Sequence, residues 1–284
     1  MKILTFGEII WDVYPEKKCL GGAPLNFAAH AHRAGAEAYL LSAVGNDELG
    51  HRALSLAEKY GVKTDYVSVL DNYKTGQCTV TLSKDGVPSY EILCDVAYDK
   101  IPLAKGAEME GFCALNFGTL ALRGKENRLV LKELIDKNNF NEIFVDLNLR
   151  APFYSRESII FGLENATLLK VSDEELPFVM NTVFGMDILG DEALMKLAES
   201  YGNIKLIVLT CGGEGSMVYD TGNNEVHKCE ATKTKVVSTV GAGDSYGATF
   251  LANYLAGENI DACLKKASQV SAFVVSKSEA IPEI

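Results

Sequence analysis

EAYLLSAVGNDELGHRALSLAEKYG, Glu37 to Gly61, sets two periodicities end to end. Glu37 to Gly45 is an apolar run of strand length, and Glu48 to Gly61 spaces its apolar residues near the 3.6 of a helix. The same alternation recurs in both directions along the chain. KILTFGEII (from Lys2), FCALNFG (from Phe112), EIFVDLNL (from Glu142), ATLLKVS (from Ala166) and IKLIVLT (from Ile204) read as further strands. NFAAHAHRAG (from Asn26), KENRLVLKELIDKNN (from Lys125) and DEALMKLAESYG (from Asp191) read as helices. DSYGATFLANYLAG (from Asp244, stopped by Gly257) and DACLKKASQVSAFVVS (from Asp261) read as two closing helices in succession. Strands alternating with helices predict an α/β fold: a three-layer α/β/α sandwich around a mostly parallel sheet covered on both faces.

Two segments break this rhythm. Thr75 to Ile101 alternates at period 2 on both sides of KDGVP, a hairpin signal, and WDVYPEKKCLGGAP has no helical period. Together, at about residues 11–22 and 75–101, they predict a few strands lifted off the main sheet as a small lid. GSMVYDTGNNEVHKC, from Gly215, predicts another hairpin near a sheet edge. With no repeat, low-complexity tract or linker, residues 1–284 read as one domain carrying its lid.

Composition narrows the partners. The 284 residues are 48% hydrophobic and 23% charged, a balance that builds a sizeable core. Thirty-eight acids against 27 bases leave a net charge of −11, which opposes non-specific binding to nucleic acid or an anionic membrane. Seven cysteines, odd in number and widely spaced, outline neither a zinc site nor a disulfide framework and read as reduced thiols. Glu8 and Asp12 interrupt the first apolar run, so it is not a signal peptide, and no stretch is long enough to span a membrane. The expected location is the cytoplasm.

Two Gly-rich clusters carry the chemistry. In STVGAGDSYGATF, Ser238 to Phe250, Gly241 and Gly243 let backbone N–H groups converge where a helix begins, a natural anion cradle. Asp244 lies in the first turn beside it. An ionised carboxylate next to such a cradle suits phosphoryl transfer to an alcohol, the donors holding phosphate charge while the acid takes the hydroxyl proton. A Gly-rich loop with a helix-capping Asp fits the same residues. No G-x-x-x-x-G-K-[ST] string occurs. In GGAPLNFA, Gly21-Gly22 permits close backbone approach and Asn26 offers both a donor and an acceptor, while Asp12 is placed to clamp a polyol. Taken singly, a Gly pair is usually a turn and an Asn near a helix start is usually a cap, so each alone is a weak signal.

Taken together, the two clusters resemble the paired signatures of the ribokinase-like sugar kinases, the PfkB carbohydrate kinase family, in the expected order along the chain. DLNLR (Asp146–Arg150) is similar to the family's DPNxR element, KVSDEEL (Lys170–Leu176) to its N-x-x-E region, and LTCGGEGS (Leu209–Ser216) to its T-x-G nucleotide stretch. The hairpin from Thr75 resembles the lid of the fructokinase branch. The resemblance implies ATP-dependent phosphorylation of a primary sugar alcohol with Mg²⁺, and it assigns roles by position. Asp244 matches the general base and Gly241, Ala242 and Gly243 the anion hole. Asp12, Gly22 and Asn26 match the sugar clamp, with Arg150 near the phosphates or the sugar. Thr210, Gly212 and Gly215 match the nucleotide stretch, and Glu175 the acid that orients the Mg²⁺ hydration shell.

This sequence departs from the pattern at three positions. Ser238 stands where the family carries an Asp that helps hold a monovalent cation, and Glu279 stands where a Gly is common, which leaves a K⁺ requirement open. Ser172 replaces the Asn of N-x-x-E. The resemblance implies fructose as acceptor, with ribose, 2-keto-3-deoxygluconate and nucleosides as alternatives. Two other readings are a dinucleotide-dependent oxidoreductase, which lacks its G-x-G-x-x-G after the first strand, and a sugar or nucleotide sensor that keeps the fold without turnover. Exposed lid edges predict a homodimer paired through lid strands. Trp11 is expected at the lid hinge or in the sugar pocket, and pocket shape is expected to depend on lid side chains such as Tyr90 and Tyr98, whose directions the sequence does not give.

Overall fold

The structure is a computed structural model describing residues 1–82, 88–103 and 111–283; at residues 80–82 and 88–90 it describes backbone only. Thirteen strands and eight helices alternate among the described residues. The strands are β1 (Lys2–Phe6), β2 (Ile10–Val13), β3 (Lys18–Gly21), β4 (Glu37–Gly45), β5 (Val67–Leu70), β6 (Gly76–Leu82), β7 (Pro88–Ile92), β8 (Phe112–Phe117), β9 (Glu142–Asp146), β10 (Leu168–Ser172), β11 (Leu206–Thr210), β12 (Ser216–Asp220) and β13 (Glu225–Cys229). The helices are α1 (Ala23–Arg33), α2 (Glu48–Lys59), α3 (Lys125–Lys137), α4 (Arg156–Asn165), α5 (Leu176–Phe184), α6 (Gly190–Ser200), α7 (Ala242–Leu255) and α8 (Ile260–Val275).

Nine strands form the main sheet in the order β13-β12-β11-β10-β9-β8-β1-β4-β5. From β11 to β5 the pairing is parallel, and the β12–β13 hairpin closes one edge antiparallel. Alternate residues of a strand face opposite sides, and β1 shows the consequence. Leu4 and Phe6 enter the core that holds Leu131, Ile159, Val179 and Leu194 of α3–α6. Ile3 enters the other, with Leu25, Ala53, Phe250 and Leu264 of α1, α2, α7 and α8. The expected α/β/α layering is therefore observed. Chain order reverses at the β1/β8 junction, so the carboxyl ends of these strands open a crevice at a topological switch point.

A second, four-stranded sheet, β3-β2-β6-β7, stands apart from the main sheet in the region the sequence predicts as a lid, and is called the lid. β2 and β6 run parallel, flanked by antiparallel β3 and β7. The hairpin signal KDGVP falls, apart from Pro88, outside the described residues, as does the Tyr90 side chain.

The structure corrects several readings. KILTFGEII is not one strand: Gly7, at φ 144, ends β1, and the chain re-forms as β2 in the lid. A Cβ on Gly7 would lie 2.7 Å from the Pro24 ring, so only glycine lets the chain leave the sheet over α1. The lid also ends earlier than its period-2 pattern, at Ile92. Ala97–Lys100 is a short 3₁₀ turn, and Tyr98 is fully buried beneath the lid root rather than on a pocket wall. Trp11 is buried too, donating to the Leu49 carbonyl at 3.0 Å with Arg52 over its ring, which places it at the lid hinge on α2. β5, α4 and α5 are absent from the periodicity reading. α5, LPFVMNTVF, is apolar nearly throughout and shows no contrast between faces, and α4 carries Gly162 because a side chain there would meet Val145 and Leu147.

Candidate active site

The crevice at the carboxyl ends of β1, β8 and β9 is lined by Ala23, Pro24, Asn116, Phe117, Asp146, Asn148 and Asp244 among others. A larger open concavity lies at the opposite, amino-terminal edge of the sheet, around Met1, His32, Glu37 and Lys63. None of the residues singled out for candidate chemistry line it, which makes the crevice the candidate site.

Gly241 starts α7 in the left-handed region, φ 79, and a Cβ there would press within 2.8 Å of Ala280. Ser245 N–H is the first of α7 to reach an i−4 carbonyl, that of Gly241, at 2.9 Å. Ala242 N–H turns back to Thr239 at 3.2 Å. The N–H groups of Gly241, Gly243 and Asp244 find no acceptor among the described residues. These are the orphan donors of a helix start, at its positive pole.

Asp244 is tied across the molecule. Its Oδ2 accepts from Asn26 Nδ2 at 2.8 Å, joining the first turn of α7 to α1. Burial pushes its carboxyl up to about 6; Asn26 opposes that shift, Asp146 adds to it, and Lys170 and Arg150 oppose it. Asn26 is itself buried, and its Oδ1 has no partner among the described residues.

Gly22 begins α1 at φ 112, and a Cβ there would collide with the Glu8 carbonyl oxygen at 2.4 Å. That tight turn presents Ala23 N–H to Glu8 Oε1 at 3.2 Å. Glu8 is buried, and desolvation lifts its carboxyl to about 7 against its hydrogen bonds from Ala23 and its own backbone. Asp12 lies on lid strand β2 with its carboxylate over Gly21, raised by burial to about 6. Arg150 follows Asn148, whose φ of 41 turns the loop after β9. The Arg150 guanidinium is exposed yet near enough to Glu8, Asp12 and Asp244 to favour the charged form of each.

Further along the same edge, Glu175 closes two loops. Its Oε1 accepts Leu149 N–H at 2.6 Å and its Oε2 accepts Ser172 N–H at 2.9 Å. Thr210 ends β11 beside Ser172 of β10. Gly212, at φ 50, faces open space, whereas Gly215, at φ 113, has no room for a side chain against the Cys229 carbonyl. Ser238 Oγ accepts Val240 N–H at 3.3 Å, and Glu279 is exposed.

The profile of the pfkB family carbohydrate kinases matches residues 6–284. The chain belongs to that family. This pfkB kinase is 28% identical to a fructokinase of Solanum tuberosum over 99% of its own length and 92% of the relative's. It is 29% identical to the 5-dehydro-2-deoxygluconokinase of Bacillus subtilis, over 93% of this chain and 84% of that one. An uncharacterized sugar kinase of Pyrococcus horikoshii, solved in complex with ATP, superposes with a TM-score of 0.82 at 26% identity, covering 98% of this chain and 94% of that one. The pfkB kinase is thus a sugar phosphotransferase with the ribokinase-like fold. Among its described residues no helix is long and apolar enough to cross a membrane, and all seven cysteines are free.

The structure draws Asp244, Gly241, Ala242, Gly243, Asn26 and Gly22 together at one helix junction; Arg150 is near enough to act on Asp244, Glu8 and Asp12, and Asp12 itself sits on β2 over Gly21. Thr210, Gly212 and Gly215 form a separate patch on the strand ends of β11 and β12, with Glu175 between the two groups. Sequence reasoning passed over Glu8, Asp146 and Lys170 as site residues. Two of them had a signal: Glu8 is an acid inside an apolar run, and Lys170 is a lone charge in LLKVS, a strand with both faces covered. Such a charge needs a partner nearby, and Asp146 is that partner.

Proposed function

We propose that this kinase transfers the γ-phosphoryl group of ATP to a primary hydroxyl of a neutral sugar, D-fructose foremost, forming fructose 6-phosphate and ADP. The observation that carries the reading is the pairing of Asp244, fixed by Asn26 at 2.8 Å, with unpaired N–H groups in the same helical turn. The sugar lies under the lid between Asp12, the Gly22 turn and Asn26. Its hydroxyl gives its proton to Asp244 as the oxygen–phosphorus bond forms and the bond to the β-phosphate oxygen breaks. The N–H groups of the Gly241–Asp244 turn hold the charge that builds on the transferring group. Lid closure excludes water that would compete as acceptor.

The nucleotide lies across Thr210, Gly212 and Gly215. Each Glu175 oxygen accepts one backbone N–H, and a carboxylate has about four acceptor positions, so Glu175 has capacity left for water bound to a Mg²⁺ carried by the nucleotide. When bound, that ion neutralises phosphate charge. The enzyme acts in the cytoplasm as one domain spanning residues 1–284, and two copies pair through lid strands.

Fructose is favoured over acidic sugars on two grounds. The Solanum tuberosum relative is a fructokinase, and this site holds three carboxyls, Glu8 and Asp244 beside the Gly22 turn and Asp12 on the lid strand, with Arg150 near enough to act on all three. A sugar carboxylate would add repulsion. A coupled ADP-release assay over fructose, ribose, 2-keto-3-deoxygluconate and 5-dehydro-2-deoxygluconate, with and without potassium, tests this. The highest kcat/KM is expected for fructose; a higher value for either sugar acid overturns the assignment.

A further inference from the structure

Lys170 and Asp146 form a buried ion pair whose position stability alone does not account for. They are register partners on β10 and β9, and Lys170 Nζ lies 3.0 Å from Asp146 Oδ1 and 2.8 Å from Oδ2. The two residues are only 5% and 6% exposed. Burying two charges costs much of what their attraction returns, and apolar residues of similar volume often serve stability as well. The pair also sits at the wrong pole of a helix. Lys170 Nζ lies 3.1 Å from where a Cβ of Gly243 would stand, against the first turn of α7, where the dipole already disfavours a cation.

Burial pulls the Lys170 ammonium down, but Asp146, then Glu175 and Asp244, outweigh it and hold the group above the usual lysine range, so it is charged. Asp146, for its part, lines the same crevice as Asp244.

We propose that Lys170 is a positioning residue for phosphoryl transfer, clamped by Asp146 behind Gly243 so that its ammonium backs the anion cradle with a fixed positive charge. The inference rests on the assignment of this turn to the transferring phosphate. As charge grows on the phosphoryl oxygens before the N–H groups of Gly243 and Asp244, a cation behind the same peptides lowers its energy without touching substrate. Asp146 also occupies the ammonium, which would otherwise pair with the Asp244 carboxylate and hold back the base. Glycine at 243 is what lets the ammonium approach this closely.

The test compares Lys170→Met, Asp146→Asn, the double variant K170M/D146N and Lys170→Arg by thermal unfolding and steady-state kinetics. Each of the first two strands a buried charge and is expected to lower Tm. The double variant removes both charges and is expected to regain the parental Tm with sugar KM within about twofold, while kcat falls roughly 10- to 100-fold, toward the loss seen when one oxyanion donor is removed. Parental kcat in the double variant would mean that the pair is only an architectural pin, and the proposal fails. If the double variant does not fold, Lys170→Arg decides: it keeps the charge and should retain more kcat than Lys170→Met, and equal losses overturn the proposal. Asp244→Asn is assayed in parallel. Its full activity would remove the base, and a kcat loss in K170M/D146N would then still stand for the cradle.

Discussion

Asp244 combines two demands that oppose each other. To act as the proposed base it must be ionised, yet burial in the crevice pushes its carboxyl up to about 6. Asn26, Lys170 and Arg150 each offset part of that penalty, and Asp146 adds to it. The sign for activity is direct: the working form is the carboxylate, so kcat/KM should be flat above about 6 and fall roughly tenfold per pH unit below it. Asp244→Asn should lower kcat by at least about 10² across the range while leaving nucleotide affinity little changed. A pH–rate profile of the parent and equilibrium nucleotide binding by the variant measure these. Turnover of the variant near the parental level would take Asp244 out of its role.

At the scale of elements, α1 is held at its start by an unusual anchor. Gly22 brings the chain so close to Glu8 that no side chain fits, and the Glu8 carboxyl then caps Ala23 N–H. The anchor is costly at neutral pH. Folded, Glu8 titrates near 7, above the ordinary 4.5. Between those values the unfolded chain has released a proton that the folded one keeps, so stability falls as pH rises through that window and the full penalty applies above it. Glu8→Gln keeps an acceptor for Ala23 and discards the charge. Its Tm should exceed the parent's by a few degrees at about pH 8 and converge with it near pH 4, as thermal unfolding in a pH series would show. An unchanged difference across the series would mean that Glu8 is not titrating in this window. His30, on the same helix, behaves oppositely: bonded through Nε2 to Ala280 O at 2.8 Å, it is lowered by burial to about 4 and stays neutral. Its contribution is complete above about 6.5 and fades as pH drops toward 4.

For the whole molecule, the main sheet hides its faces under helices, but the lid sheet ends in β3 and β7, each paired on one side only among the described residues. Open strand edges are templates for pairing, and joining two lids edge to edge would cover them while stiffening the roof over each sugar site. A dimer by light scattering at assay concentration is expected, and a monomer would refute lid pairing. The net charge of −11 adds a constraint at this scale: the overall field repels an anionic nucleotide, so the proposed reaction needs local donors, such as the free N–H groups at the start of α7 and Arg150, to offset it.

Periodicity alone was enough to read the layered α/β architecture, the lid hairpins and the last two helices, because hydrophobic spacing reports which face of an element is buried. The Asp244 turn and the Gly22 turn were legible for a related reason: glycines beside an acid or an amide state a local backbone requirement. Other features depended on partners distant in sequence. Gly7 ends β1 because of Pro24, Tyr98 is core because Gly76 and Arg123 close over it, and Lys170 is tolerable only opposite Asp146. A chain encodes spacing along itself, but whether a buried charge is paired or a strand leaves its sheet is decided by what tertiary packing places across from it.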